Sequence, residues 1–132
     1  MKIDNRHQRR IAAPPDRVAG IIVRLDGVWP TRIAPAPRAL GRRRYDTGLM
    51  LWEEVDRPGA VRAFRVVRPA ELRVEHWFEL VPATSGTLLR HTVAGEALGP
   101  YETLWRERIE PLHDRVLEAL LDNVEAALTP DR

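Results

Sequence analysis

The chain has 132 residues, 44% of them hydrophobic and 30% charged, and it contains no cysteine. That length and composition suit one folded domain with a real core, here read as residues 1–132, and exclude a disordered chain, a collagen-like chain and a disulfide-stapled miniprotein. Thiol catalysis and thiolate metal sites are excluded with them. The formal net charge is only +2, although the isoelectric point is about 9.6. Lys2 is the only lysine, and the remaining cations are arginines, which do not titrate below about pH 12. A small arginine excess therefore lifts the isoelectric point without creating the field a nucleic-acid binder needs. The arginine bias reads as the mark of a GC-rich bacterial genome. No apolar run approaches the roughly 20 residues of a membrane helix. Met1 to His7 lacks the apolar stretch of a secretory signal, so the expected location is cytoplasmic.

The first segment, Lys2 to Ala13, reads as extended and stops at Pro14-Pro15. A proline pair suits a helix start, and Asp16 then meets the helix dipole favourably. Val18, Ile21, Ile22 and Leu25 follow at helical spacing, which predicts a short helix over Pro15 to Leu25 ended by Gly27. Trp29 to Ala39 carries Pro30, Pro35 and Pro37, a density that blocks both a helix and a central strand. It reads as an ordered crossing.

Strands are then predicted over Arg42 to Asp46, Leu49 to Asp56 and Ala60 to Arg68. Thr47-Gly48 and Arg57-Pro58-Gly59 supply the turns. Arg73 to Val81 alternates clearly, with Val74, His76, Phe78 and Leu80 on one face and Arg73, Glu75 and Glu79 on the other. Pro82 to Gly86 reads as a five-residue hairpin loop. Thr87 to Ala97 returns with Leu89, His91 and Val93 on one face. Short connections make the sheet antiparallel. A long helix over Tyr101 to Leu128 closes the chain. Its stripe is Leu112, Val116, Leu120, Val124 and Ala127, flanked by Leu117, Leu121 and Leu128. Pro111 either kinks this helix or separates off Tyr101 to Glu110. The class is α+β: a curved antiparallel sheet of six or seven strands around a long C-terminal helix, with short helical structure after the first strand. Such a helix leaves room over the sheet for a cavity.

This order resembles the helix-grip fold of the START/Bet v 1-like (SRPBCC) superfamily over nearly the whole chain. The resemblance rests on Ala13 to Val18 after the first strand, the Arg57-Pro58-Gly59 hairpin, Glu75 to Leu80, Gly86 to His91 and the terminal helix. Glu75 to Leu80, Leu89 to Thr92 and Pro111 to Asp114 are also similar to a bacterial polyketide cyclase/dehydrase-like subgroup. The resemblance implies a small hydrophobic or aromatic ligand held between sheet and helix. Where such a protein is an enzyme, it implies a cyclisation or dehydration step on a polyketide-like substrate. A non-catalytic carrier or a protein-interaction module on the same fold is the alternative. One departure stands out: six strands are visible where seven are usual, so one is short, merged or lost near residues 29–39.

His76 and His91 fall on inward faces of adjacent strands, opposite or one step apart, and His113 falls on the apolar arc of the helix. Three imidazoles in one cavity offer acid/base chemistry, polar anchoring or a three-His metal site, with His76 and His91 the catalytic candidates. The plainer alternative is that each is a satisfied core residue. Phe64, Phe78, Tyr101 and Trp105 are the aromatic candidates for ligand contact, with Tyr101 and Trp105 near the expected mouth. Trp77 alternates outward and is a candidate contact for a homodimer or another partner. Arg42-Arg43-Arg44 reads as a solvated edge strand, because alternate strand residues face opposite ways. Neither nucleic acid nor membrane is an expected partner. No metal and no cofactor are expected, since the sequence shows no dense His/Asp/Glu spacing, phosphate loop, G-x-G-x-x-G, H-E-x-x-H or G-x-S-x-G. Ser85, the only serine, lies at a hairpin tip.

Overall fold

A computed structural model describes residues 1–129, so the last three residues of the expected domain lie outside it. The elements are β1 (Lys2–Ile11), α1 (Pro15–Ile22), β2 (Arg38–Ala39), β3 (Arg44–Asp46), β4 (Leu51–Val55), β5 (Arg62–Arg68), β6 (Leu72–Ala83), β7 (Gly86–Ala97), α2 (Tyr101–Leu104) and α3 (Glu110–Leu128). One curved antiparallel sheet holds all seven strands in the order β1-β7-β6-β5-β4-β3-β2. The seventh strand is β2, two residues at the end of the proline-rich crossing. Because β2 is outermost, the arginine-bearing β3 lies one strand in from the edge. Arg43 and Arg44 are exposed and pair with Asp56 and Glu53.

β6 and β7 form the long central hairpin. Their strands run to Ala83 and from Gly86, so the expected five-residue loop is a two-residue turn at Thr84-Ser85. Pro82 is tolerated in β6 because it sits at the exposed end of the strand. Near the other end of this hairpin Gly95 has φ +149, and a Cβ there would collide with the Arg73 carbonyl. Close approach of β6 and β7 at that point requires glycine.

α2 runs into α3 through a π-turn over Trp105–Ile109. That resolves the alternatives at Pro111: the helix continues, and the wide turn before the proline makes room for its ring and for the amide it lacks. The buried face of α3 is Val116, Leu117, Leu120, Leu121, Val124 and Leu128; Leu112 is half-buried and Ala127 is exposed. These side chains join Ile11, Val18, Ile22, Phe78 and Leu89 in the larger core cluster. A smaller cluster of Ile3, Leu72, Val74, Val93, Ala97 and Trp105 lies toward the other end of the sheet. The proline-rich crossing is fastened to itself and to α3. Trp29 Nε1 donates to the Ala34 carbonyl at 2.9 Å, and Asn123 Nδ2 donates to the Val28 carbonyl at 2.8 Å.

Candidate functional site

The two core clusters do not merge. Between them lies a cavity of about 140 Å³ whose walls draw on both: Val74, Val93 and Trp105 from the smaller, Leu25, Phe78 and Leu120 from the larger. The strand alternation predicted for β6 and β7 holds, and it delivers His76 and His91 to this space. Of the opposite face of β6, Arg73 and Glu75 are exposed and Glu79 is half-buried. The register differs from the expected one. His76 faces Val93 and His91 faces Phe78, so the two histidines are diagonal neighbours. They still touch, with His91 Nε2 at 3.4 Å from His76 Nδ1.

Each imidazole is clasped by rings. Phe64 stacks on His76 at 5.1 Å between centroids, and Trp52 meets His76 edge-on at 4.3 Å. Phe78 lies 4.7 Å from His91. His113 comes from α3 to within 5.3 Å of His91 and 6.4 Å of Trp105. The π-turn makes that last pairing. At about 100° per residue, positions eight apart on a regular helix are roughly 80° out of line. One extra residue in the wide turn brings Trp105 and His113 nearly onto one line.

Of the expected ligand contacts, Phe64, His76, Phe78, His91, Trp105 and His113 line the cavity. Tyr101 does not. It is half-buried against the smaller cluster and borders a shallow groove with Leu49 and Met50. Trp77 faces outward but is not bare, since the Arg57 guanidinium covers its ring at 3.5 Å. Sequence reasoning passed over Trp52, because β4 is half-buried on both faces and a bulge between Leu51 and Trp52 breaks its alternation.

Burial controls the charge of this site. It pushes His76 down to about 3 and His113 down to about 4, and holds His91 well below its ordinary value. Neighbouring imidazoles act in the same direction: His113 on His76 and His91, His7 on His113. The three are therefore neutral at pH 7. His76 Nε2, His91 Nδ1, His113 Nε2 and Trp52 Nε1 are buried without hydrogen-bond partners. A buried polar atom left unpaired costs about 1–3 kcal/mol. Four in one place mark a site with unmet hydrogen-bonding capacity.

His7 is the residue that no sequence pattern singled out. The helix-facing side of β1 carries Ile3, Asn5, His7, Arg9 and Ile11, and its three polar members meet an acidic flank of α3. Asn5 Nδ2 donates to Asp114 at 2.9 Å and to Glu110 at 3.2 Å. His7 lies between Asp114 (Nε2, 2.8 Å) and Glu118 (Nδ1, 2.6 Å). Arg9 reaches Glu118, Asp122 and Glu125. Burial alone would lower the His7 pKa, but the bonds to Glu118 and Asp114 outweigh it and raise it. The sequence shows no dense spacing of metal-ligating residues, but the fold brings three such side chains together at this seam. His7, His113 and Asp114 each place a ligating atom within 4.8 Å of the others.

No protein-family model and no curated protein matches the sequence. Solved structures do. The Zhui aromatase/cyclase from Streptomyces sp. R1128 is 18% identical, with TM-score 0.63 over 97% of this chain and 94% of that one. TTHA0849 from Thermus thermophilus is 21% identical, with TM-score 0.65 over 96% and 97%. A START superfamily protein from Mycobacterium smegmatis is 15% identical, with TM-score 0.59 over 95% and 96%. At these identities the likeness is one of fold, and among the described residues no helix is long and apolar enough to cross a membrane. The chain has the helix-grip fold of START- and Bet v 1-like proteins.

Proposed function

We propose that the protein binds a small, flat, hydrogen-bonding molecule in the cavity between its sheet and its C-terminal helix. The observation that carries this is the set of unpartnered buried atoms on Trp52, His76, His91 and His113, all of them cavity residues. A neutral imidazole has one donor and one acceptor nitrogen. With one nitrogen of each joined in the His76–His91 contact, the two left over comprise one donor and one acceptor, whichever tautomers the pair adopts. Trp52 adds a donor. A phenol, an enol or a hydroxy-ketone on a single ring satisfies that pattern, and the surrounding aromatic faces supply its stacking. Size agrees. At about 140 Å³ the cavity is below the roughly 300 Å³ at which drug-sized ligands begin, and close to the ~150 Å³ that accepts benzene in an engineered core.

A cyclisation or dehydration step on a polyketide-like substrate is the second reading, supported by the likeness to an aromatase/cyclase. Here His76 and His91 act as neutral donor and acceptor to a carbonyl and its enol, not as a cationic acid, because burial keeps both uncharged. The test is native mass spectrometry of protein purified from its own host, followed by titration with mono- and dihydroxybenzenes read by Trp52 and Trp105 fluorescence. A co-purifying single-ring compound, and a tenfold or greater loss of affinity in His76→Phe and His91→Phe, are expected. Unchanged affinity with lost stability in both variants would leave the histidines as core residues only.

A further inference from the structure

We propose that the seam between β1 and α3 is a binding site for a divalent first-row transition metal of the zinc type, held by His7, His113 and Asp114. This goes beyond the ligand cavity. His7 is far in sequence from the other two, but antiparallel packing of β1 along α3 gathers the three ligating atoms within 4.8 Å. Tetrahedral zinc with bonds of about 2.0–2.1 Å separates its ligands by roughly 3.3 Å, so modest side-chain rotations close the site. His7 Nε2 and Asp114 Oδ1 are already 2.8 Å apart.

Three independent features favour a cation here. First, His113 Nε2 and Asn5 Oδ1 are buried and unpartnered, and the Asn5 amide is bonded to Asp114 itself. An idle amide oxygen thus lies beside the Asp114 carboxylate, and His113, next to Asp114 in α3, carries an idle nitrogen where the cavity and the seam adjoin. Second, the other nitrogen of His7 is bonded to Glu118 at 2.6 Å. A carboxylate on the far nitrogen fixes the tautomer and orientation of a metal-binding histidine and raises its basicity. Third, the charges do not balance. α3 presents Glu110, Asp114, Glu118, Asp122 and Glu125 to this face of β1, which answers with Arg9 and His7. Arg9 is occupied at the Glu118–Glu125 end, so Glu110 and Asp114 face only His7 and the uncharged Asn5. Two imidazoles and a carboxylate select zinc, nickel or cobalt over calcium or magnesium, which favour all-oxygen sites.

The test uses the full-length protein dialysed against a chelator and titrated calorimetrically with zinc chloride, with magnesium chloride as control. One zinc per chain at micromolar or tighter affinity is expected, with no response to magnesium. In a ¹⁵N-histidine spectrum the ring signals of His7 and His113 should move on zinc addition, and those of His76 should not. His7→Phe and Asp114→Asn should each weaken binding at least tenfold; Asp114→Asn keeps the side-chain shape should the former fail to fold. Absence of saturable zinc binding, binding unchanged in Asp114→Asn, or zinc shifts confined to His76 and His91 would each overturn the proposal.

Discussion

Acid should unfold this protein partly through His76. The ring is buried at 7% exposure among Phe64, Trp52 and His91, and its pKa falls to about 3 from an ordinary 6.5. The folded pKa lies below the unfolded one, so between those values the unfolded chain binds the extra proton. Stability from keeping this ring neutral is therefore whole above about pH 6.5 and is lost as pH falls toward 3. One pKa unit corresponds to about 1.4 kcal/mol, so the loss reaches about 2 kcal/mol at pH 5. His91 and His113 move the same way, and His7, whose pKa is raised, moves the opposite way. The His76 share is isolated by comparing wild type with His76→Phe in urea denaturation at pH 7.5 and pH 5.0. The wild type should lose about 2 kcal/mol more than the variant across that interval. Equal losses would show that His76 is protonated without penalty, and the description of an uncharged site would fall.

Leu120 is 1% exposed beneath the sheet, and Leu120→Ala should cost about 3 kcal/mol by chemical denaturation; a loss under about 1 kcal/mol would contradict the packing described. Arg57→Ala should uncover Trp77, shifting its emission to longer wavelength with about 0.5–1 kcal/mol of stability lost, and an unchanged spectrum would refute the stacking. Deleting the exposed Arg108 should turn the π-turn into regular helix with Trp105 seven positions before His113, about 20° out of line, so that Trp105 stays in the cavity wall and hydroxybenzene binding is kept. Red-shifted emission with lost binding would mean that the wide turn is not what absorbs the extra residue.

The sheet was legible where one face of a strand is apolar and the other charged. Val74, His76 and Phe78 against Arg73 and Glu75 fix parity in β6 by simple alternation, and β7 follows through a short turn. Parity survived an error in the loop. Pro82 looked like a strand terminator, yet it sits inside the last exposed residues of β6, and the true two-residue turn moved the register without changing faces. Where alternation was absent, reading failed. β2 is two residues long, and β4 is half-buried throughout, so neither the seventh strand nor the inward position of Trp52 left a pattern. Tyr101 was misplaced because no residue pattern marks the wide turn that changes the facing of everything before Glu110.

The seam at His7 shows why a polar strand face need not be a solvent face. Ile3 and Ile11 bracket it at the same parity and are each 1% exposed, so Asn5, His7 and Arg9 must point toward the helix as well. Read by hydropathy, that stretch is surface. Read by parity between two buried isoleucines, it is interface, and its partner must be a helix flank with carboxylates at three- and four-residue steps. Glu110, Asp114, Glu118, Asp122 and Glu125 have that spacing, on the edge of α3 beside its apolar stripe. The placement has a consequence for the cavity. His113 adjoins Asp114 in α3, with the His91 ring on one side at 5.3 Å and the His7 ring on the other at 5.7 Å. All four histidines of the chain thus form one continuous file from the stacked Phe64–His76 pair to the exposed carboxylate of Glu118. A positive charge gathered at His7, whether a proton or a metal ion, disfavours protonation of His113 and His91 behind it. The polar seam at the edge of the sheet therefore helps keep the interior of the site neutral, which is the condition its donor and acceptor pair needs.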